Sequence, residues 1–287
     1  APAAAVPVAV ERLDDGAWVP VATLTTGADG RFAARLPVRR SANLRVSVQA
    51  ADGTVSSSRR RFVTVRRAVS LRVTAPPLEN IAGRPFRARG AVVGAAPGER
   101  VTLEGSVDGS AFRPLRRVVV RGGRVEAVLT PPRGGTWRFR LSAAASGDGA
   151  RAAGSATTGR MQVLGANPHG VPASSPHHLV QVISEMRLYY YQDGRLRRVF
   201  PVVFGKPSTP TPVGTYRIYS KTPGPGPAFG PLAMWYHRGY GIHGTNQEHL
   251  LDDPVRYYSA GCTRNYNDNI RWLYSRVPVG TPVVNRA

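Results

Sequence analysis

Cysteine is almost absent from this chain of 287 residues, where Cys262 stands alone. An internal disulfide is thereby excluded, and the thiol is a buried small hydrophobe, an incidental surface group or a nucleophile in need of a base. Histidine is missing from the first 168 residues, and lysine is nearly missing everywhere, since Lys206 and Lys221 are the only two among 39 basic side chains. No run approaches the roughly 18 uninterrupted apolar residues that mark a membrane helix. The opening Ala1-Pro2-Ala3-Ala4-Ala5 carries no charged and apolar leader, so a signal peptide has been removed or none existed.

What is present is a turn-rich, arginine-rich text. Glycine (31) and proline (25) make up about a fifth of the chain, below the roughly 25–30% that signals disorder. With 42% hydrophobic residues the chain is expected to fold, and its length calls for more than one domain. The net charge is +22. Residues 1–160 hold 26 basic and 11 acidic side chains, and residues 161–287 hold 13 and 6. Arginine with abundant alanine, glycine and proline also fits the codon bias of a GC-rich genome. A field of this size attracts anionic polymers such as cell-wall phosphates, acidic lipids or nucleic acid. Nucleic acid is the weakest of these partners, because no recognition helix, zinc finger or aromatic-basic motif is present.

The first half repeats itself. Val8-Ala9-Val10-Glu11 and Asp15-Gly16 recur 93 residues later as Val101-Thr102-Leu103-Glu104 and Asp108-Gly109. Gly30-Arg31-Phe32-Ala33-Ala34-Arg35-Leu36 likewise recurs at Gly123 to Leu129. Short alternating segments between Asp-Gly, Gly-Gly and proline turns predict a mainly β fold with two β-sandwich modules, 1–67 and 68–164. The first has only seven residues before Val8, against about thirty in the second, and is expected to lack its opening strands. The modules resemble bacterial immunoglobulin-like domains in pattern. Without histidine, cysteine or clustered carboxylates they are assigned spacing and adhesion rather than chemistry. Residues 165–176, with three prolines and two glycines, read as a linker. His177 and His178 point to opposite sides of an extended chain, so a shared metal is not expected.

From 177 to 287 the text becomes a β-rich domain. Leu179–Ile183 and Met186–Tyr191 are strand-like, and Asp193-Gly194 turns the chain into Leu196–Gly205. Pro223-Gly224-Pro225-Gly226-Pro227 is a lid over the site or an ordinary surface loop. Ile242-His243-Gly244-Thr245 precedes Ser259-Ala260-Gly261-Cys262-Thr263-Arg264 by fewer than twenty residues. A thiol with a pKa of about 8.5 is mostly protonated at neutral pH, and His243 is the natural base. Thr245 is expected to orient the imidazole through its hydroxyl or carbonyl, and the backbone N–H groups of Gly261 and Cys262 to serve as oxyanion donors. Tyr240, Gly244, Ser259 and Arg264 are the candidate substrate contacts. Arg264 binds a carboxylate, steadies the thiolate or makes a structural ion pair. Asn267 or Asp268 offers an N-cap to a short helix whose apolar face carries Ile270, Leu273 and Val277.

Four elements in order, the tyrosine-rich strand with Asp193-Gly194, the run from Gly205-Lys206 to Thr211-Pro212-Val213-Gly214-Thr215, Ile242 to Thr245, and Ser259 to Arg264, resemble the L,D-transpeptidase catalytic domain of the YkuD type. The resemblance covers over a third of the chain. It implies a secreted, wall-facing or periplasmic bacterial enzyme whose cysteine attacks peptidoglycan stem peptides, without metal or organic cofactor, and which carbapenem-type β-lactams acylate. One departure stands at the nucleophile, where the family usually reads Ser-His-Gly-Cys and this chain has Ala260. The expected reaction is a 3→3 cross-link. The alternatives are an L,D-carboxypeptidase that trims tetrapeptide stems, or a catalytically weakened wall-binding scaffold.

Overall fold

The computed structural model describes residues 5–50, 52–252 and 259–287; the first four residues of the expected first module and the segment 253–258 lie outside the described residues. The chain divides into two compact units, one of Ala1–Thr74, Arg87–Leu129 and Trp137–Met161, the other of Ala75–Phe86, Thr130–Thr136 and Gln162–Ala287.

In the first repeat, β1 (Pro7–Asp14), β2 (Ala17–Thr25), β3 (Ala42–Gln49), β4 (Val55–Ser57) and β5 (Arg61–Val63) make one sheet in the order β2-β1-β3-β4, with β5 also on β3. Asp15 and Gly16, both at positive φ, close β1 onto β2, the geometry an Asp-Gly hairpin favours. The second repeat holds β6 (Val69–Thr74), β7 (Phe86–Val92), β8 (Arg100–Val107), β9 (Arg113–Val119), β10 (Arg124–Leu129), β11 (Gly135–Ala143), β12 (Gly154–Thr157) and β13 (Met161–Val163). Here two sheets form, β10-β7-β6 and β12-β11-β8-β9. Their apolar faces meet: Ala88, Leu103, Val125, Phe139 and Leu141 are buried, and a methyl group added at Gly90 would lie 2.9 Å from Leu141.

Among the described residues the second repeat forms two facing sheets and the first a single sheet. The reason lies in strand partnership. In the second repeat β10 pairs with β7, and the described residues of the first repeat hold no strand in the place of β6 or β7. Its counterpart of β10, residues 31–36, forms no strand and leaves Phe32 exposed, since a strand without a neighbour leaves its backbone groups unpaired. The boundary near residue 67 is also not a joint. Arg67 is buried and forks onto Glu99, with Nη2 2.9 Å from Oε2, and the guanidinium holds that carboxyl below the usual glutamate range. Ser41 adds a backbone bond to Ala150 at 2.6 Å.

The second unit contains β14 (His178–Val182), β15 (Arg187–Gln192), β16 (Arg195–Pro201), β17 (Gly214–Arg217), β18 (Ser220–Pro223), β19 (Leu232–His237), β20 (Tyr240–His243), β21 (Thr263–Arg264), α1 (Asn267–Tyr274) and β22 (Pro282–Arg286). One sheet runs β16-β15-β14-β22-β17 and the other β18-β19-β20-β21. Asp193 and Gly194, at φ 52° and 67°, make the expected hairpin turn. A core of Leu179, Leu188, Phe200, Met234, Ile242 and Val283 is completed by Ile270 and Leu273 on the inner side of α1 and by Val277, expected on the same helix face but lying past the helix end.

The first sheet is apolar on both sides. Val180, Tyr189, Tyr191 and Val199 point away from that core and are covered by Ile81, Val171 and Leu164. The stretch expected as a free linker, 165–176, is thus part of the fold. Val171 is buried, Asn167 bonds Val171 through both its amide groups, and Leu196 N–H donates to Ala166 at 2.8 Å. An exposed valine and tyrosine face would otherwise lose its burial energy, of order 25 cal/mol per Å².

Candidate active site

Strands β20 and β21 run parallel with Ile242 opposite Thr263 and His243 opposite Arg264. Side chains alternate along a strand, and aligned residues of a parallel pair share a face. Ile242 and Thr263 turn inward and are fully buried. His243 and Arg264 take the other face, and Cys262 immediately precedes β21. The register sets His243 beside Arg264, and the Arg264 charge acts on both the imidazole and the Cys262 thiol. The Cys262 sulfur is half-buried, lies 3.7 Å from the Gly239 carbonyl, and faces the Gly241 N–H.

His243 is 2% exposed. Its Nδ1 meets the Gly244 carbonyl, an acceptor only, so Nδ1 carries the proton and Nε2 is the basic nitrogen. The orienting group is therefore Gly244, not Thr245 as expected. The Thr245 hydroxyl accepts from Gln247 N–H, and its backbone N–H and carbonyl are both held by Asn267 at 3.0 Å. Asn267 does not cap its own helix. Glu248 accepts the Asn267 N–H at the helix start instead. Gly244 is not a substrate contact either, because a methyl there would meet Asn267 at 2.3 Å and Pro231 at 2.8 Å.

The loop from Ser259 to Cys262 supports itself. Ser259 is buried, its hydroxyl donates to the Cys262 carbonyl at 2.6 Å and accepts from Gly261 N–H at 3.0 Å, so it shapes the loop rather than touching substrate. The Gly261 N–H is thereby taken, and it is not available as an oxyanion donor. Gly261 sits at φ 117°, and the space beside it belongs to the Tyr240 ring, 2.3 Å from where a Cβ would be. The Gly205–Thr211 run braces the loop from outside: Thr211 donates to Gly261 O at 2.8 Å and accepts from Gly205 N–H, while Lys206 N–H donates to Ser259 O. Ala260 is solvent-exposed and outside this web, so the loop's shape does not depend on a side chain at 260.

Three contributors carried no signal at the sequence level. Phe229, in the 3-10 turn Pro227–Phe229 that ends the proline-glycine stretch, lies edge-on to the His243 ring at 4.9 Å. That stretch is not a loose surface loop at its far end, where Gly230 packs on Thr245 and Asn267. Gln247 bonds the Arg264 guanidinium at 3.1 Å. Behind the strand, the Thr263 hydroxyl donates to Gln181, whose amide donates to Asn285 at 2.7 Å, and Asn285 reaches the Tyr236 hydroxyl. This buried chain fixes β21, and through it Cys262, to the main sheet.

Residues 176–284 match the L,D-transpeptidase catalytic domain family YkuD. The putative L,D-transpeptidase YkuD of Bacillus licheniformis is 36% identical over 115 residues, 39% of this chain and 67% of that protein. Its Bacillus subtilis counterpart is 35% identical over 119 residues, 40% of this chain and 70% of that protein. This chain belongs to the YkuD L,D-transpeptidase family. An L,D-transpeptidase from Mycobacterium smegmatis of known structure aligns over 78% of this chain and 100% of its own at 18% identity, with a TM-score of 0.34, a likeness that adds nothing to the assignment. Family membership makes the chain an acyltransferase of the transpeptidase type.

Electrostatics in this L,D-transpeptidase site favour a neutral pair. Burial pushes the Cys262 thiol up, against the Gly241 N–H and the Arg264 charge, which pull it down. Burial lowers His243 to about 4, the Gly244 carbonyl opposes this, and the Arg264 charge adds to it. The folded value lies below the ordinary 6.5, so the stability this group contributes is complete above about pH 6.5, shrinks as pH falls, and is gone below about pH 4. A fall of about 2 kcal/mol is expected between pH 7 and pH 5. His169 and His178 are lowered by burial in the same sense. Urea unfolding of the wild type and of His243→Gln at both pH values isolates the His243 share, and equal slopes would rule it out.

Proposed function

We propose that this chain is a peptidoglycan L,D-transpeptidase in which Cys262 forms an acyl-enzyme and His243 is its general base. The observation that carries the reading is the bond from His243 Nδ1–H to Gly244, which leaves Nε2 as the basic nitrogen of an imidazole that, like the Cys262 thiol, feels the Arg264 charge. The reaction starts from neutral thiol and neutral imidazole. Sγ attacks the carbonyl of the third residue of a tetrapeptide stem, a diamino acid, while Nε2 takes the thiol proton. The tetrahedral intermediate collapses, the bond to the terminal D-alanine breaks, and its nitrogen takes the proton back from His243. An amine of a neighbouring stem then attacks the thioester, passes a proton through His243 to the departing sulfur, and leaves a 3→3 cross-link.

Of the two oxyanion donors considered, the Cys262 N–H is retained, since Ser259 engages that of Gly261. Arg264 shares the face of the reacting pair and is assigned the carboxylate of the donor stem; Tyr240 walls the site beside Gly261. The self-supporting loop around Ala260 favours a working enzyme over a degenerate scaffold. The strained carbonyl of a carbapenem is expected to acylate the same sulfur. A peptidoglycan substrate also carries a location, the wall side of the bacterial membrane, for which a secreted protein is required.

The test is mass spectrometry of the protein with a synthetic diamino-acid tetrapeptide. Loss of D-alanine with a thioester adduct on Cys262, and neither with Cys262→Ala, is the expected result. Cross-linked dimer marks the transpeptidase and free tripeptide the carboxypeptidase. A Cys262→Ala variant that releases D-alanine at the wild-type rate would sink the mechanism.

A further inference from the structure

The charge excess of the second repeat is organised. Strands β9 and β10 are the edges of their two sheets, and between them runs an open cleft of about 900 Å³. Six arginines line it, with Glu126 its single carboxylate. Arg87 and Arg89 come from β7, Arg116 and Arg117 from β9, and Arg121 and Arg124 from the turn into β10 and its first residue. Glu126 offsets little, since its pair with Arg89 spans 3.5 Å and both side chains are more than two-thirds exposed. One further arginine, Arg72, stands directly opposite Arg89 across β6 and β7. Like charges opposed across strands destabilise a sheet. Protecting an edge from aggregation needs charge but not charge of one sign, so this concentration calls for a ligand.

We propose that this cleft binds a thin, flexible phosphate polymer. Three features select that chemistry. The surface is concave and lined from both sheets, which suits a narrow chain and not the plane of a bilayer. No aromatic side chain lines it, so it has no platform on which nucleic-acid bases stack. Its arginines also approach from two walls. The two free oxygens of a phosphodiester diverge and take one guanidinium from each wall, whereas a single arginine fork saturates both oxygens of a planar carboxylate. Arg116, bonded to the Val128 carbonyl at 3.2 Å, is already held across the cleft between the sheets. The site is separate from Cys262 and stands whether or not that residue is the nucleophile.

The experiment uses fluorescently labelled long-chain inorganic polyphosphate and the whole protein, with binding followed by anisotropy over a salt series. The test variant is Arg87→Gln/Arg117→Gln/Arg124→Gln, three exposed positions. The control, Arg59→Gln/Arg60→Gln/Arg61→Gln, removes the same charge from exposed positions of the first repeat. The cleft variant is expected to bind at least about tenfold more weakly, with a log–log salt slope shallower by about 2. The control should stay within about twofold of wild type, and all three proteins should melt together by circular dichroism. Equal loss in both variants would reduce the effect to net charge and overturn the proposal. It is overturned equally if polyglutamate, single-stranded DNA or phosphatidylglycerol vesicles bind more tightly than polyphosphate in a manner that depends on the cleft.

Discussion

His243→Ala is expected to lower kcat/KM for D-alanine release by about 10²–10⁴-fold and to change the shape of its pH profile. In the wild type the base stays neutral down to about pH 4, so the acid limb should lie near there and not near the free-imidazole value of 6.5. Without the imidazole, the only route to a nucleophile is spontaneous ionisation of a thiol whose pKa burial has raised. The variant's rate should therefore climb with pH through the neutral range where the wild type is flat. His243→Gln separates loss of the base from loss of packing against Phe229, because glutamine fills a similar volume and keeps a donor for Gly244. Stopped-time assays from pH 4 to pH 9 decide the matter. An acid limb that survives the substitution unchanged would remove His243 from the mechanism.

The second large effect is expected at Gly261. An L side chain at φ 117° is strained, by roughly 1–3 kcal/mol, and an alanine Cβ would also stand 2.3 Å from the Tyr240 ring. Gly261→Ala should shift the whole loop, breaking the Ser259 and Thr211 bonds that set the direction of the sulfur. Activity is expected to fall at least about a hundredfold, since a displacement of about 1 Å at the reacting atom costs that much. The double variant Gly261→Ala/Tyr240→Ala removes the clash and keeps the backbone strain. Its melting temperature should recover part of the loss, a coupling that shows the two residues share one space. A Gly261→Ala protein with wild-type turnover and melting would mean that the loop geometry described here is not required.

Part of this site was legible in the chain and part was not. His243 and Cys262 were, because a lone thiol among glycine and polar neighbours and a histidine on a glycine-bounded strand are unusual company for core residues. The partners of Thr245, Ser259 and Gly261 were not. Each residue has the right chemistry for the role first given to it, but which donor meets which acceptor is settled by strand register and by Asn267, Thr211 and Gln247, distant in sequence. Phe229 had no periodic or motif signal, only a position after a proline-glycine run. The two repeats teach the same lesson for the fold. Residues 31–36 and 124–129 carry similar text, yet only the second is a strand, because pairing depends on β7 rather than on the segment itself. The stretch 165–176 departs from its linker-like text for a related reason: its prolines and glycines describe its backbone, while its place in the fold is set by Val180, Tyr189 and Tyr191 needing cover.

The order β16-β15-β14-β22-β17 has a consequence for how this enzyme comes into being during synthesis. Strand β22, made after Cys262 and α1, is an interior strand, paired in parallel with β14 and antiparallel with β17. Asn285 on that strand also closes the chain of buried bonds that reaches Thr263 beside Cys262. A nascent polypeptide translated through Cys262 and α1 therefore has a thiol but no anchored β21. The setting of that thiol is therefore complete only once Pro282–Arg286 has emerged, well after the residue itself has been made.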